Sequence, residues 1–446
     1  MRVVRPPDGI GGQAVQEADK PGLGEMTAVF ARIGLVSFGG PAGQIALMHR
    51  VLVDEKRWMD EARFLHALNY CMLLPGPEAM QLATYSGWLL HGTRGGLIAG
   101  LLFLMPGALV LVALSIVYLL AGDVSVVQGL LFGRKAAVLA VVLEALLKVS
   151  KRALHTPADV MTALFSLLAI ALLKVPFPVV IIAAMGIGML GYMFSRNRGQ
   201  EAHHASMAAP PLAQLFTTLS LWLAIWLGPL ALLYLTLGAG HVFTQEGGFF
   251  SIMAAVTFGG AYAVLAWVAQ QAVEVYGWLQ PDEMLTGLGL AETTPGPLIL
   301  VLVFVGFLGG ARLSGLDPVI GGLGGAMGAL WFTFVPSFMF IFAGAPYLEK
   351  LREVRWLSAA LGSVTAAVVG IIANLALWFG LHVLFGEVQT VTAGPLEVPV
   401  PVLASVDAAS LLISAAAVVA LSVMRMNMIA VLGMAAIIGI LISALG

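Results

Sequence analysis

Six stretches of this sequence, 96–121, 175–194, 213–240, 318–348, 356–386 and 426–446, run without a single Asp, Glu, Lys or Arg. Each has the roughly 20 residues that a helix rising about 1.5 Å per residue needs to cross a hydrocarbon core about 30 Å thick. A backbone in lipid must satisfy its own hydrogen bonds, so such runs become helices. They are too continuous for the in/out alternation of a membrane barrel. With 60% hydrophobic and only 10% charged residues, the 446-residue chain has too little charge to coat a water-soluble particle. The expected fold class is an all-α polytopic membrane protein.

The remaining composition excludes several functions. A single cysteine, Cys71, forbids an internal disulfide and a thiolate metal cluster. The eight histidines are scattered apart from His203-His204, so no metal and no cofactor are expected. No basic domain or stacking motif points to nucleic acid. A membrane-embedded enzyme is disfavoured, because the chain lacks a Cys pair, a His-Glu metal motif, a Gly-rich nucleotide loop and a clustered nucleophile and base. Residues 1–22 are polar and Gly/Pro-rich, and are expected to be a flexible cytoplasmic leader.

Residues 37–40 read SFGG and residues 257–260 read TFGG. At a constant offset of 220, segments 37–77 and 257–297 align without a gap and share 11 of 41 positions, among them Phe38, Gly39, Gly40, Trp58 and Pro75-Gly76-Pro77. A shared order at fixed distances marks an internal duplication. Charge then orients the copies. Arg50, Lys56, Arg57 and Arg63 lie between the first FGG and PGP, whereas 270–283 holds no basic residue. The loop at 148–157 carries Lys148, Lys151 and Arg152, against a basic-free loop at 387–404. By the positive-inside rule the paired segments face opposite sides. Two repeats of inverted topology are expected, 23–198 and 246–446, joined by a linker, 199–245, whose one transmembrane helix inverts the second copy.

Gly24 to Val36 and Pro41 to Val53 are 13 residues each, about 20 Å of helix and too short to cross. Each repeat is therefore expected to hold two re-entrant broken-helix hairpins followed by four crossings. A break in lipid leaves N–H and C=O groups that must meet protein, water or a ligand. Gly39, Gly40, Gly259 and Gly260 strip away side chains, and Pro41, Pro77 and Pro297 begin helices whose first N–H groups favour an anion. The alternative is that these glycines and prolines only kink helices or let them pack closely.

Neutral donors flank the breaks: Ser37 and Thr257 at matched positions, Gln44 and Gln81 one turn into the following helices, and Thr293 and Thr294 before Pro295. They suit a tetrahedral oxyanion, or they bond across helices as membrane Ser, Thr and Gln do. Charges within apolar sequence are expensive and usually functional. Arg32, five residues before Ser37, is expected to attract an anion or to pair with a glutamate. Glu78 follows the first PGP, Glu292 precedes the second, and Glu144 lies in segment 125–147; all three are candidate proton carriers. Trp58 and Trp278 are expected as interfacial anchors.

The run GLVSFGGPAGQIALMHRVLVDEKRWMDEARFLHALNYCMLLPGPEAMQLATYSG at 34–87 and the run TFGGAYAVLAWVAQQAVEVYGWLQPDEMLTGLGLAETTPGP at 257–297 resemble the chromate ion transporter family, whose long members are duplicated. The resemblance implies a bacterial or archaeal inner-membrane carrier, its N-terminus cytoplasmic, that exports chromate with sulfate as an analogue. The proton gradient or the membrane potential would drive it. Family motif positions fall on Ser37, Phe38, Gly39, Gly40, Pro41, Gln44, Pro75, Gly76, Pro77, Glu78 and Gln81, and on Phe258, Gly259, Gly260, Thr294, Pro295, Gly296 and Pro297. The second half departs from the pattern with Ala261 and Val264 where the first has Pro41 and Gln44, which implies unequal roles. An anion channel and an exchanger of sulfate or another oxyanion are the transport alternatives, and a homodimer is among the expected assemblies.

Overall fold

The computed structural model describes residues 21–38, 40–122, 124–194, 212–258, 261–345, 355–393 and 396–445. The expectations placed on leader residues 1–20, Gly39, Gly259 and Gly260 lie outside the described residues.

Helix α1 spans Leu23–Leu35 and α2 spans Gly40–His49, running on into a π-helical turn, Arg50–Glu55. Helix α3 is Glu61–Cys71, its first turn capped by Asp60, whose carboxylate accepts the Arg63 N–H at 2.7 Å. Helix α4, Glu78–Ala121, is two helices joined at His91 and Gly92, both non-helical. Helices α5 (Ser125–Ala153), α6 (Pro157–Leu173) and α7 (Phe177–Phe194) follow, and then α8 (Leu212–Leu237), which packs on α9 and α13. The series then recurs. Helix α9 is Val242–Val256, and α10 is Ala261–Ala269 with a second π-helical turn, Gln270–Val275. Helix α11 is Pro281–Glu292, and a 3-10 turn, Leu298–Leu300, opens α12, Val301–Leu313. Helices α13 (Pro318–Gly344), α14 (Arg355–Leu384), α15 (Ala408–Ser422) and α16 (Met428–Leu445) complete it. The π turns begin at residues 50 and 270, the offset at which the sequence repeats.

The protein is an all-α polytopic membrane protein. Among the described residues, five helices are long and apolar enough to cross a bilayer: Glu78–Ala121, Phe177–Phe194, Ala213–Leu237, Pro318–Gly344 and Ala359–Leu384. Their outward faces carry large exposed apolar residues such as Leu120, Phe194 and Leu235, as a lipid-facing surface requires. The basic-free loop at 387–404 holds one departure from helix, an antiparallel hairpin of β1 (Val388–Ala393) and β2 (Leu396–Pro401), with Val388 opposite Pro401.

Helices α5 and α14 cross between the halves. Helix α5 packs on α15, α16 and α11 of the second half, while α14 packs on α6 and α7 of the first. Missing side chains allow the approach: a Cβ at Gly133 would strike the Ala435 carbonyl oxygen, and one at Gly370 the Ala163 carbonyl oxygen. Helix α5 carries Arg134, Lys135 and Glu144 half-buried against its neighbours, while Lys148, four residues beyond Glu144, is exposed. On the other side, Arg312 of α12 donates to both carboxylate oxygens of Glu283 at 2.7 and 2.5 Å, and the Tyr118 hydroxyl adds a third bond at 3.1 Å. Trp278 departs from its expected role as an interfacial anchor. It is fully buried, stacked on Tyr276 and packed against Phe249 and Phe250.

Where α2 ends, His49 Nε2 meets the Glu61 carboxylate at 2.5 Å and Nδ1 lies 3.5 Å from Asp54. The bond to Glu61, aided by the charge of Asp54, raises the His49 pKa above its ordinary 6.5. A raised folded-state value means that the contribution to stability is full below the unfolded pKa and is lost as pH rises through the folded one. Histidine-resolved NMR should find His49 titrating above the free value, and Glu61→Gln should bring it back down; an unchanged midpoint in that variant would dismiss the pairing.

Candidate functional site

The four breaks meet in two pairs, each joining one half to the other. Prolines at 77 and 297 cannot donate, so the preceding glycines carry the last free N–H before each helix start, and both reach across to the other half. The Gly76 N–H donates to the Thr257 carbonyl at 2.8 Å, and the Gly296 N–H donates to the Ser37 carbonyl at 2.8 Å. Gly76 sits at φ 118° and Gly296 at φ 94°, backbone that a side chain would strain. Each Phe-Gly-Gly break is thus completed by the Pro-Gly-Pro break of the opposite half.

Glutamines brace the junction from the first half. Gln44, 1% exposed, donates from Nε2 to the Gly296 carbonyl at 2.6 Å and to the Ser37 carbonyl at 3.3 Å. Gln81 donates to the Pro75 carbonyl at 2.7 Å. The threonines turn inward on their own helices: Thr257 donates to Met253 O at 2.5 Å, Thr293 to Leu290 O at 2.9 Å and Thr294 to Ala291 O at 2.9 Å. Among the described residues, Ser37 Oγ, Gln44 Oε1 and Gln81 Oε1 are buried without a partner. Phe38 and Pro41 are half-buried at the first tip, while Pro75 and Gly76 are buried and Pro77 half-buried at the second. Opposite Gly76 stands Ser337 of α13, whose Oγ would lie 2.7 Å from a Cβ placed there.

The charges divide unequally. Glu292, 5% exposed, accepts from the Tyr262 hydroxyl at 2.6 Å beside the second PGP. Glu144 and Lys148, joined at 2.5 Å, lie within electrostatic reach of it. Glu78 opens α4 half-buried, with Arg152 within electrostatic reach. Arg32 is not brought to this junction: it projects from the exposed face of α1. A different cation comes close. Arg134 of α5 lies beside Gly289 of α11, one turn before Glu292, with its Nε buried and unpartnered. Arg134 had no role in the sequence reading, since no motif adjoins it. Ser337 was missed for the same reason, whereas Tyr262 stands two residues after the second Phe-Gly-Gly and could have been found from that signal.

A junction of helix starts, unpaired polar atoms and an internal cation is chemically suited to hold a small anion. The model of the chromate transporter family matches residues 24–189 and 246–440, leaving the α8 region between the two matches. A chromate transport protein of Pseudomonas aeruginosa is 32% identical over 80% of the chain and 82% of its own length. A chromate transport protein of Cupriavidus metallidurans is 27% identical over 83% and 86%, and a probable chromate transport protein of Synechococcus elongatus is 28% identical over 80% and 84%. No solved structure matches the chain.

Proposed function

The chain belongs to the chromate transporter family, and on that premise we propose that it exports chromate, or its tetrahedral analogue sulfate, across the inner membrane of a bacterial or archaeal cell. The reciprocal bonding of Gly76 to Thr257 and Gly296 to Ser37 carries the reading. It joins the helix starts of the two halves in pairs, where first-turn N–H groups have no helical partner and a dianion is their natural complement. The binding positions are Ser37, Phe38, Gly39, Gly40, Pro41, Gln44, Pro75, Gly76, Pro77 and Gln81 from the first half, and Thr257, Gly259, Gly260, Thr293, Thr294 and Gly296 from the second. Arg134 supplies the internal positive charge, a part that its buried and unpaired Nε supports better than the exposed Arg32 does.

The two halves are inverted repeats with re-entrant hairpins, and the cytoplasmic face is the one that carries the basic loops. Energy comes from the proton gradient or the membrane potential, since no nucleotide loop is present in the sequence. Glu78 and Glu292, with Glu144 behind the latter, stand beside the breaks and set the pH range in which the site accepts an anion. Glu78→Gln and Glu292→Gln should each displace the pH optimum of transport in reconstituted vesicles. A profile superimposable on that of the unaltered protein would eliminate the residue concerned.

The decisive test is uptake of chromate and sulfate into inside-out vesicles under an imposed pH gradient with the potential clamped. Accumulation of chromate above its external level is expected. Equilibration that never exceeds that level would replace the carrier by a channel, and absence of oxyanion flux would remove chromate and sulfate as substrates.

A further inference from the structure

Glu246, in the second turn of α9, is 1% exposed, and both of its carboxylate oxygens are buried without a hydrogen-bond partner. The surface it faces is made of glycine. A Cβ at Gly309 of α12 would lie 2.5 Å from Oε1, and one at Gly325 of α13 would lie 3.1 Å from Oε2. Helices α12 and α13 meet through Gly306 against Gly325 and Gly310 against Gly321, so their backbones nearly touch beside the acid.

Among the described residues, nothing nearby compensates an ionised carboxylate. Helices α8 and α13 contribute no Asp, Glu, Lys, Arg or His over 212–237 and 318–344. Helix α12 contributes Arg312 alone, and both of its terminal nitrogens are engaged by Glu283. On α9 itself, His241 sits at the N-cap, where Nδ1 accepts the Phe243 N–H at 3.2 Å. Trp278 packs against Gly309, yet its Nε1 is itself buried and unpartnered. A carboxylate ion in such surroundings loses its hydration and receives neither a donor nor a countercharge, whereas the neutral acid loses far less.

We propose that Glu246 is a proton-binding site, occupied in this arrangement of α9, α12 and α13, and that the proton leaves only when the glycine seam parts and admits water. The reaction is simple and balanced: the carboxylic O–H breaks, the proton passes to water, and the carboxylate stays on the protein. Position 26, matched to 246 by the repeat offset, is the fully buried Met26, so only the second copy carries the site. The inference deepens the proton-coupled reading above and rests on it for its transport consequence, but not for the presence of the proton.

Two measurements on the full chain in lipid test it. Infrared difference spectroscopy at neutral pH should find a carboxylic-acid C=O stretch, sensitive to deuterium exchange, that disappears in Glu246→Gln. In vesicles, the same variant should lose at least tenfold of the chromate accumulation driven by an imposed pH gradient, and Glu246→Asp should recover part of it. If the glutamine variant is lost in purification, Glu246→Leu tests the same band. A band that persists without Glu246 would overturn the proposal, as would an undiminished response to the pH gradient. Should the unaltered protein show the band but no chromate flux, the proton site stands and the substrate reading falls.

Discussion

Leucine in place of Gly40 is expected to abolish oxyanion uptake while leaving the protein folded and inserted. Gly40 opens α2 at φ 74°, and a Cβ built there meets nothing within 4 Å. The substitution therefore costs the strain of a left-handed residue, about 1–2 kcal/mol, and no collision. What it alters is the space ahead of the first N–H groups of α2, which an isobutyl group would occupy. If that space receives the anion, uptake should fall by about 100-fold or more, equivalent to about 2.7 kcal/mol of lost binding. Radiotracer uptake, read beside the size-exclusion profile, checks both halves of the statement. Normal uptake by a well-folded Gly40→Leu protein would take the hairpin tip out of consideration as the binding site.

Gly107→Ala should do the reverse, harming the fold as well as transport. Gly107 lies in the C-terminal part of α4, beyond the break at His91 and Gly92, and a Cβ there would strike the carbonyl oxygen of Pro295, the first residue of the second PGP. Both partners are backbone, so neither can swing away. Overpacking of this kind costs typically 1–3 kcal/mol and here about 3, and relief requires moving either α4 or the break that Gly296 anchors to Ser37. The melting temperature in detergent and the uptake rate should fall together. Gly328→Ala on α13, where nothing stands within 4 Å of the added carbon, is the control and should leave both near the starting values. Equal behaviour of the two alanine variants would show that α4 does not hold the second break in place.

What could be read from the sequence was local. Phe-Gly-Gly and Pro-Gly-Pro announce broken helices because glycine and proline act on their own backbone, and the breaks appear where they were expected. The apolar runs announce helices for the same reason. Gln44 was legible as a polar side chain beside a break, but its partner lies 252 residues away at Gly296, and no local rule selects that carbonyl. The threonine hydroxyls looked available because their nearest acceptors, the carbonyls one turn back, are invisible in a letter string. Arg32 is more instructive. Met26, Phe30, Ile33 and Gly34 form the buried stripe of α1, and position 32 falls outside it. Helical periodicity held that information, whereas proximity to Ser37 along the chain suggested otherwise. Arg134 and Glu246 escaped because each is enclosed by helices distant in sequence, and burial of that kind is a property of the assembled bundle.

The exchange of hydrogen bonds between the breaks also governs how such a chain is made. Gly76 needs the carbonyl of Thr257, which is synthesised about 180 residues later. At roughly 5–20 residues per second, on the order of 10–40 s separates the two. During that interval the first half waits beside the translocon with open polar breaks at membrane depth, and its closing partner still lies inside the ribosome or has yet to be translated. Biogenesis is then the step at which the duplicated architecture is most exposed, and a ribosome halted between the halves leaves a half-finished bundle that the membrane's quality-control proteases can tell from a finished one.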